Sequence, residues 1–211
     1  MMKNRLLSYV IVALMFLTAA CDPSRAEGLL DRLYTDLMNS CVSMDYTYST
    51  MVSGARLSGN GTILLQGNMW RMSGNGVDMW CDGSLMWTVD QEAKEVVIDV
   101  ASDDSPVEIM SNPATLFADL QKWFSVEAER NTSDGKAVLY MLKPVEDIDI
   151  EYVNVELLKT DGSLRSGSFA MNDGNEVSIR VSSMKVMPKK HTSAFRPYMS
   201  FDSSWIVTDM R

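Results

Sequence analysis

Histidine is almost absent. His191 is the only one in 211 residues, and it sits in a basic loop beside Lys189 and Lys190. A lone loop histidine is solvated, so neither a Ser-His-Asp site nor a histidine-rich zinc or iron centre can be assembled. Cysteine is scarce as well. Cys21, Cys41 and Cys81 are the only three, and none shows CxxC spacing, which excludes a thioredoxin-type redox motif. Basic charge is short: 19 lysines and arginines face 28 acids, for a net of −9. The bases form no stripe that could track phosphates, so nucleic acid is not an expected partner. After residue 20 no apolar run reaches the ~20 residues that a bilayer core demands. There is no P-loop, GxGxxG, HExxH or GxSxG. Carboxylates are plentiful, but Asp82, Asp134, Asp161 and Asp173 fall in turns, where they serve turn geometry. No metal, cofactor or enzymatic activity is expected.

The N-terminus reads as an export signal over residues 1–26. Lys3 and Arg5 are followed by an uncharged apolar run, Leu6 to Ala20, and then by small residues. Two processing sites compete. Ser24-Arg25-Ala26 suits an ordinary signal peptidase, whereas Thr18-Ala19-Ala20-Cys21 resembles a lipobox whose cysteine would be acylated. Cleavage after Ala26 removes three bases and one acid and moves the net charge from −9 to −11. Either way the expected compartment is the periplasm of a Gram-negative-type bacterium, with the protein soluble or tethered through a lipidated Cys21. In that oxidising space Cys41 and Cys81 can form a disulfide or remain two buried thiols.

The rest, 27–211, is long enough for one domain with a sizeable core. Residues 27–39 predict an amphipathic helix, with Leu29, Leu30, Leu33, Tyr34, Leu37 and Met38 at helical spacing. Strands and turns follow. Alternation over Met44 to Tyr48 is the mark of a half-buried strand. Turns are expected at Gly59-Asn60-Gly61, Gly67-Asn68, Gly74-Asn75-Gly76 and Asp82-Gly83. Asn112-Pro113 opens a second expected helix over 112–124, with Leu116, Leu120 and Trp123 on one side. Strands then resume to a last one near Trp205–Met210. About 11 strands and two helices predict a mainly β, α+β fold: a large curled antiparallel sheet whose concave face the helices cover.

What the chain has in abundance is soft apolar surface: 17 methionines and five tryptophans. Methionine is flexible and polarizable, and suits a surface that accepts varied apolar ligands. The same residues would also serve as ordinary core filling.

Three segments in order carry a family resemblance. They are Thr62 to Met72 (TILLQGNMWRM), Cys81 to Asp90 with Asp82, Gly83 and Trp87 in DGxxxW spacing, and Glu95 to Asp99 (EVVID). Together with the two helices and the ending VTDMR, they make the region 27–211 similar to the LolA/LolB lipoprotein-carrier family. The resemblance implies an incomplete antiparallel β-barrel with helices over its mouth and an apolar cavity for lipoprotein acyl chains. It also implies an inner-membrane lipoprotein transporter and an outer-membrane acceptor as partners, and a monomeric carrier. Alternatives on the same fold are a membrane-anchored acceptor and a non-transporting sensor or protein-binding module. Trp70 takes the family's aromatic position and is the first cavity candidate. Tyr46, Met69, Trp80, Trp87, Ile98, Leu116, Leu120 and Trp123 are the others, although neighbours in a strand point oppositely. Family members carry Arg-Pro at the turn before the aromatic strand, where the arginine bonds the helical lid. Here Gln66-Gly67 stands there, which makes Gln66 the gating candidate, without charge.

Overall fold

A computed structural model describes residues 24–52, 55–74, 76–101, 123–148, 150–172 and 174–211. Residues 1–23 of the expected signal segment, with Cys21, as well as Asp173 and most of the second expected helix with Leu116 and Leu120, lie outside the described residues, whereas the expected cut at Ser24-Arg25-Ala26 falls in the first described helix.

The first element is α1 (Ser24–Asn39), starting three residues earlier than its apolar periodicity predicts. Twelve strands follow. They are β1 (Cys41–Val52), β2 (Ala55–Gln66), β3 (Met69–Gly74), β4 (Val77–Cys81), β5 (Leu85–Asp90) and β6 (Glu95–Val100), then β7 (Phe124–Asn131), β8 (Ala137–Pro144), β9 (Ile150–Leu158), β10 (Leu164–Met171), β11 (Glu176–Met187) and β12 (Ile206–Asp209). A short 3-10 helix, Thr192–Phe195, lies between the last two. All twelve strands form one open sheet in the order β12-β6-β5-β4-β3-β2-β1-β11-β10-β9-β8-β7. Each consecutive hairpin places neighbours side by side, and β1 closes on β11 to join the two halves. This is the curled antiparallel architecture expected from the sequence, with one strand more. The exception to antiparallel pairing is β12, which returns to run parallel to β6.

The turns explain most of the boundaries. Gly67 at φ +57° and Gly83 at φ +90° adopt the left-handed backbone that tight hairpins need. Asp82 accepts hydrogen bonds from the N–H of Ser84 and Leu85, Asp134 from Lys136, and Asp161 from Ser163. One expected turn is absent. Gly59-Asn60-Gly61 runs straight through the middle of β2. Gly61 is there for closeness: a Cβ on it would stand 2.6 Å from the Ser73 carbonyl oxygen and 2.8 Å from the Tyr46 hydroxyl. Glycine in a strand often marks such an approach and resembles a turn signal in sequence.

The sheet is covered on both sides. On its concave side one core unites Leu33 and Leu37 of α1 with Val42, Met44, Ile63, Leu65, Trp70, Tyr140, Val153, Val155, Leu157 and others. α1 spans one end of this trough. Its Leu37 carbonyl accepts from Gly67 N–H at 3.1 Å in the β2–β3 turn, and Leu29 and Arg32 rest on Gly162 beyond β9. On the convex side a smaller core of Trp80, Val89 and Val96 lies under Met199, Phe201 and Trp205. The C-terminal segment 188–211 thus acts as a strap on the outer face.

Candidate functional site

Register sorts the strand residues by face. Val42, Leu65, Trp70, Cys81 and Met86 pair across β1 to β5 and form one row toward α1. The next row inward is Met184, Met44, Ile63, Met72 and Met79, so four of five positions are methionine. Tyr46 pairs with Gly61 in the row beyond and lies against the core, as do the half-buried Met72, Met79, Met86, Phe169, Val181 and Met184. Trp123 packs on the same core from the start of β7. This soft apolar trough is the candidate site. Among the described residues no group of three or more His, Cys, Asp or Glu could hold a metal ion.

Of the sequence candidates, the trough brings together Trp70, Tyr46 and Trp123. Trp80, Trp87 and Ile98 are not in it. Each is one residue out of phase with the inward row, so all three project to the convex face under the strap. Met69 precedes Trp70 and by the same alternation points away from α1. The row of Met44, Met72, Met79 and Met184, together with Met86, was not singled out by sequence reasoning. Two-residue steps from Trp70 to Met72 within β3, and from Cys81 to Met79 within β4, carry the signal once both strands are placed.

Gln66, expected to hold the lid, is hydrogen-bonded to the strap instead. Its amide faces the strap, accepting from Lys190 N–H at 2.6 Å and donating to the Lys190 carbonyl at 3.0 Å. It copies a backbone pairing and pins the strap's start. A second pin is Asp82, buried beneath Arg196, whose Nε donates to it at 2.7 Å. Burial pushes the Asp82 carboxyl up, but the N–H groups of Leu85 and Ser84 and the Arg196 guanidinium outweigh it, and the net shift is downward. Phe195 fills the outer face between the pins with no exposed surface. Arg71 lies 5.7 Å from the Trp80 ring centre and 5.8 Å from that of Tyr198, and the two rings meet edge to face. His191 caps the 3-10 helix, accepting from Ser193 N–H.

Cys41 and Cys81 are both buried and are not joined. They cannot be, because Cys81 is in the inward row and Cys41 is out of phase with Val42. Two strands separate them as well, about 14 Å at ordinary strand spacing, against the ~7 Å limit for a disulfide. Burial pushes the Cys41 thiol up, opposed in part by Lys190. Such a thiol is unreactive.

No protein-family model matches the sequence, and no curated protein matches it. Solved structures do. A conserved protein from Thermus thermophilus is 12% identical and covers 88% of this chain and 99% of its own, with a TM-score of 0.55. A DUF1329 family protein from Desulfovibrio piger is 13% identical over 83% of this chain and 98% of its own, with a TM-score of 0.47. A LolA superfamily protein from Nitrosomonas europaea is 10% identical over 82% of this chain and 97% of its own, with a TM-score of 0.43. An open, curled antiparallel sheet with a helix across its concave face is the LolA-like fold that the sequence resemblance implies. Among the described residues no helix is long and apolar enough to cross a membrane.

Proposed function

We propose that the chain is an envelope carrier that holds the acyl chains of lipoproteins, or of similar lipids, in its concave trough. The supporting observation is the methionine row under an amphipathic cover. α1 places Leu33 and Leu37 fully in the trough and Leu29 and Leu30 partly. Removing that cover loses roughly 5–9 kcal/mol, while a 16-carbon chain gains about 11 kcal/mol at ~0.8 per methylene. The two are close enough for exchange, so cargo is held weakly enough to release. Loose methionine packing eases the swap, because either occupant can be accommodated by rotamer changes.

On this reading the N-terminal segment delivers the protein to the periplasm, diffusing after cleavage at Ala26 or tethered through Cys21. Cargo passes from an inner-membrane transporter toward an outer-membrane acceptor, with no catalytic step. A second reading, a protein-binding module, is favoured by exposed apolar residues near the free strand β12, namely Val97, Val100, Ile206, Val207 and Met210. Native mass spectrometry and titration with a fluorescent monoacylglycerol ester, both on the chain from Glu27, decide between them. The carrier reading expects bound lipid and a Trp70→Glu variant that loses at least tenfold in affinity. Absence of binding in both assays ends it.

A further inference from the structure

Two donors that line the trough, one on β3 and one on β8, lack a hydrogen-bond partner in the structure. The indole Nε1 of Trp70 and the hydroxyl of Tyr140 are buried and have no hydrogen-bond partner. Neither side chain retains exposed surface. They come from different arms of the sheet, β3 and β8, six ladder steps apart, yet the curl brings both into one apolar core. Native proteins rarely leave buried donors unmade; Trp80 Nε1 under the strap is another, and the two that line the trough are the ones an acceptor held there could meet.

The surroundings limit what that acceptor can be. Trp70 stands in the row Val42, Leu65, Trp70, Cys81, Met86, Asp99. Tyr140 stands in the row Glu129, Tyr140, Val155, Gly167, Ile179. Neither row contains a base, and each ends on an acid, so a free carboxylate would meet repulsion and no counter-charge. A plain hydrocarbon would leave both donors unmet. Burial, with the Glu129 charge, pushes the Tyr140 phenol up to about 12, so it remains a donor throughout the physiological range.

We propose that Trp70 Nε1 and the Tyr140 hydroxyl donate to the carbonyl oxygens of an ester- or amide-linked acyl chain. The trough then selects acylated groups over free fatty acids and over saturated hydrocarbon. This deepens the acyl-carrier reading and rests on it.

The test uses two probes that differ only in that carbonyl: 1-monopalmitoylglycerol, an ester, and 1-O-hexadecylglycerol, its ether. The full mature chain is expected to bind the ester about tenfold more tightly. Tyr140→Phe keeps the ring and removes the donor. It should cut the ester-over-ether ratio at least threefold and raise the Tm of the empty protein by about 2–4 °C, since an unmet hydroxyl is gone. Trp70→Phe alters volume too, so it is read by the same ratio, which should also fall. Equal binding of ester and ether by the unmodified chain overturns the donor proposal and leaves the carrier reading standing. Binding of neither probe overturns the carrier reading itself. A lower Tm for Tyr140→Phe with an unchanged ratio means the hydroxyl holds a structural water, and overturns the proposal. In a last arm a diacylglyceryl-cysteine peptide and a diacyl phospholipid compete against the ester. Displacement by either supports the proposal and says whether lipoprotein or free lipid supplies the chain, and displacement by neither overturns it.

Discussion

The two faces of the half-sheet β3 to β6 are covered in different ways. Trp70 and Trp80 are equally buried, one on each side, ten residues apart in sequence. Above Trp70 the cover among the described residues is α1, held by leucines, by a backbone hydrogen bond to Gly67, by its contact with Gly162 and by the attraction between Arg32 and Asp161. Above Trp80 the cover is the strap, held by Phe195, the Gln66 pair, the Asp82–Arg196 pair, the Arg71 stack and the β12 ladder. Hydrophobic contact is non-directional and can be exchanged for any apolar surface, including an acyl chain. Buried polar pins accept one partner in one geometry, and losing it strands the other group. The inner cover is therefore built to be replaced and the outer cover to stay.

The widest separation between the faces comes from truncating one apolar anchor in each cover. Phe195→Ala should cost about 3–5 kcal/mol and Leu33→Ala about 2–5 kcal/mol, read by urea denaturation. Their effects on acyl binding should diverge. Weakening the strap should leave the affinity of the folded protein unchanged. Weakening α1 lowers the cost of displacing it, and should raise affinity at least tenfold. Equal effects of the two variants on affinity would remove the distinction between the covers.

The Asp82 pin gives a smaller effect with a pH signature. Its folded carboxyl lies below the ordinary aspartate value of about 3.9. A depressed carboxyl contributes stability that is complete above the unfolded value and is lost as pH falls through the folded one. Asp82→Asn should therefore cost about 1–2 kcal/mol at pH 7, since Arg196 is itself well exposed. It should also flatten stability against pH below about 4. An unaltered acid limb in the variant would mean that the pin is not charged in the folded state.

Much of this architecture is readable from the sequence, for local reasons. The hairpin turns at Gly67-Asn68 and Asp82-Gly83 announce themselves through residues that suit positive φ, and α1 through leucines at helical spacing. What cannot be read is which way a strand faces when both faces are covered. In β3 to β5 the usual contrast of apolar inside and polar outside is erased, because the strap buries the convex side as thoroughly as α1 and its core bury the concave one. Trp80, Trp87 and Ile98 therefore look as suitable as Trp70, and only pairing register separates them. The strap itself gives a weak signal. Phe195, Met199, Phe201 and Trp205 are spaced irregularly among serine, proline and charge, and no period marks them as a cover. Gly59-Asn60-Gly61 fails for the opposite reason, since a glycine needed for the approach of Tyr46 has the same letters as a turn.

The mildest change is also the sharpest for mechanism, because Gln66 stands at the turn where the sequence resemblance leads to the expectation of a lid-holding residue. Here its amide is turned to the strap, so it belongs to the permanent cover. Gln66→Ala should cost about 1–2 kcal/mol by leaving the Lys190 N–H and carbonyl partly unmet. It should not alter acyl affinity or the rate of uptake, measured by stopped-flow fluorescence with a labelled monoacylglycerol ester. Gln66→Arg tests the same point from the other side. Its longer, charged side chain cannot reproduce the paired contact to the Lys190 backbone, so it should loosen the strap without tightening α1. A faster uptake in Gln66→Ala, or a slower one in Gln66→Arg, would instead tie this residue to the lid and join the two covers into one device.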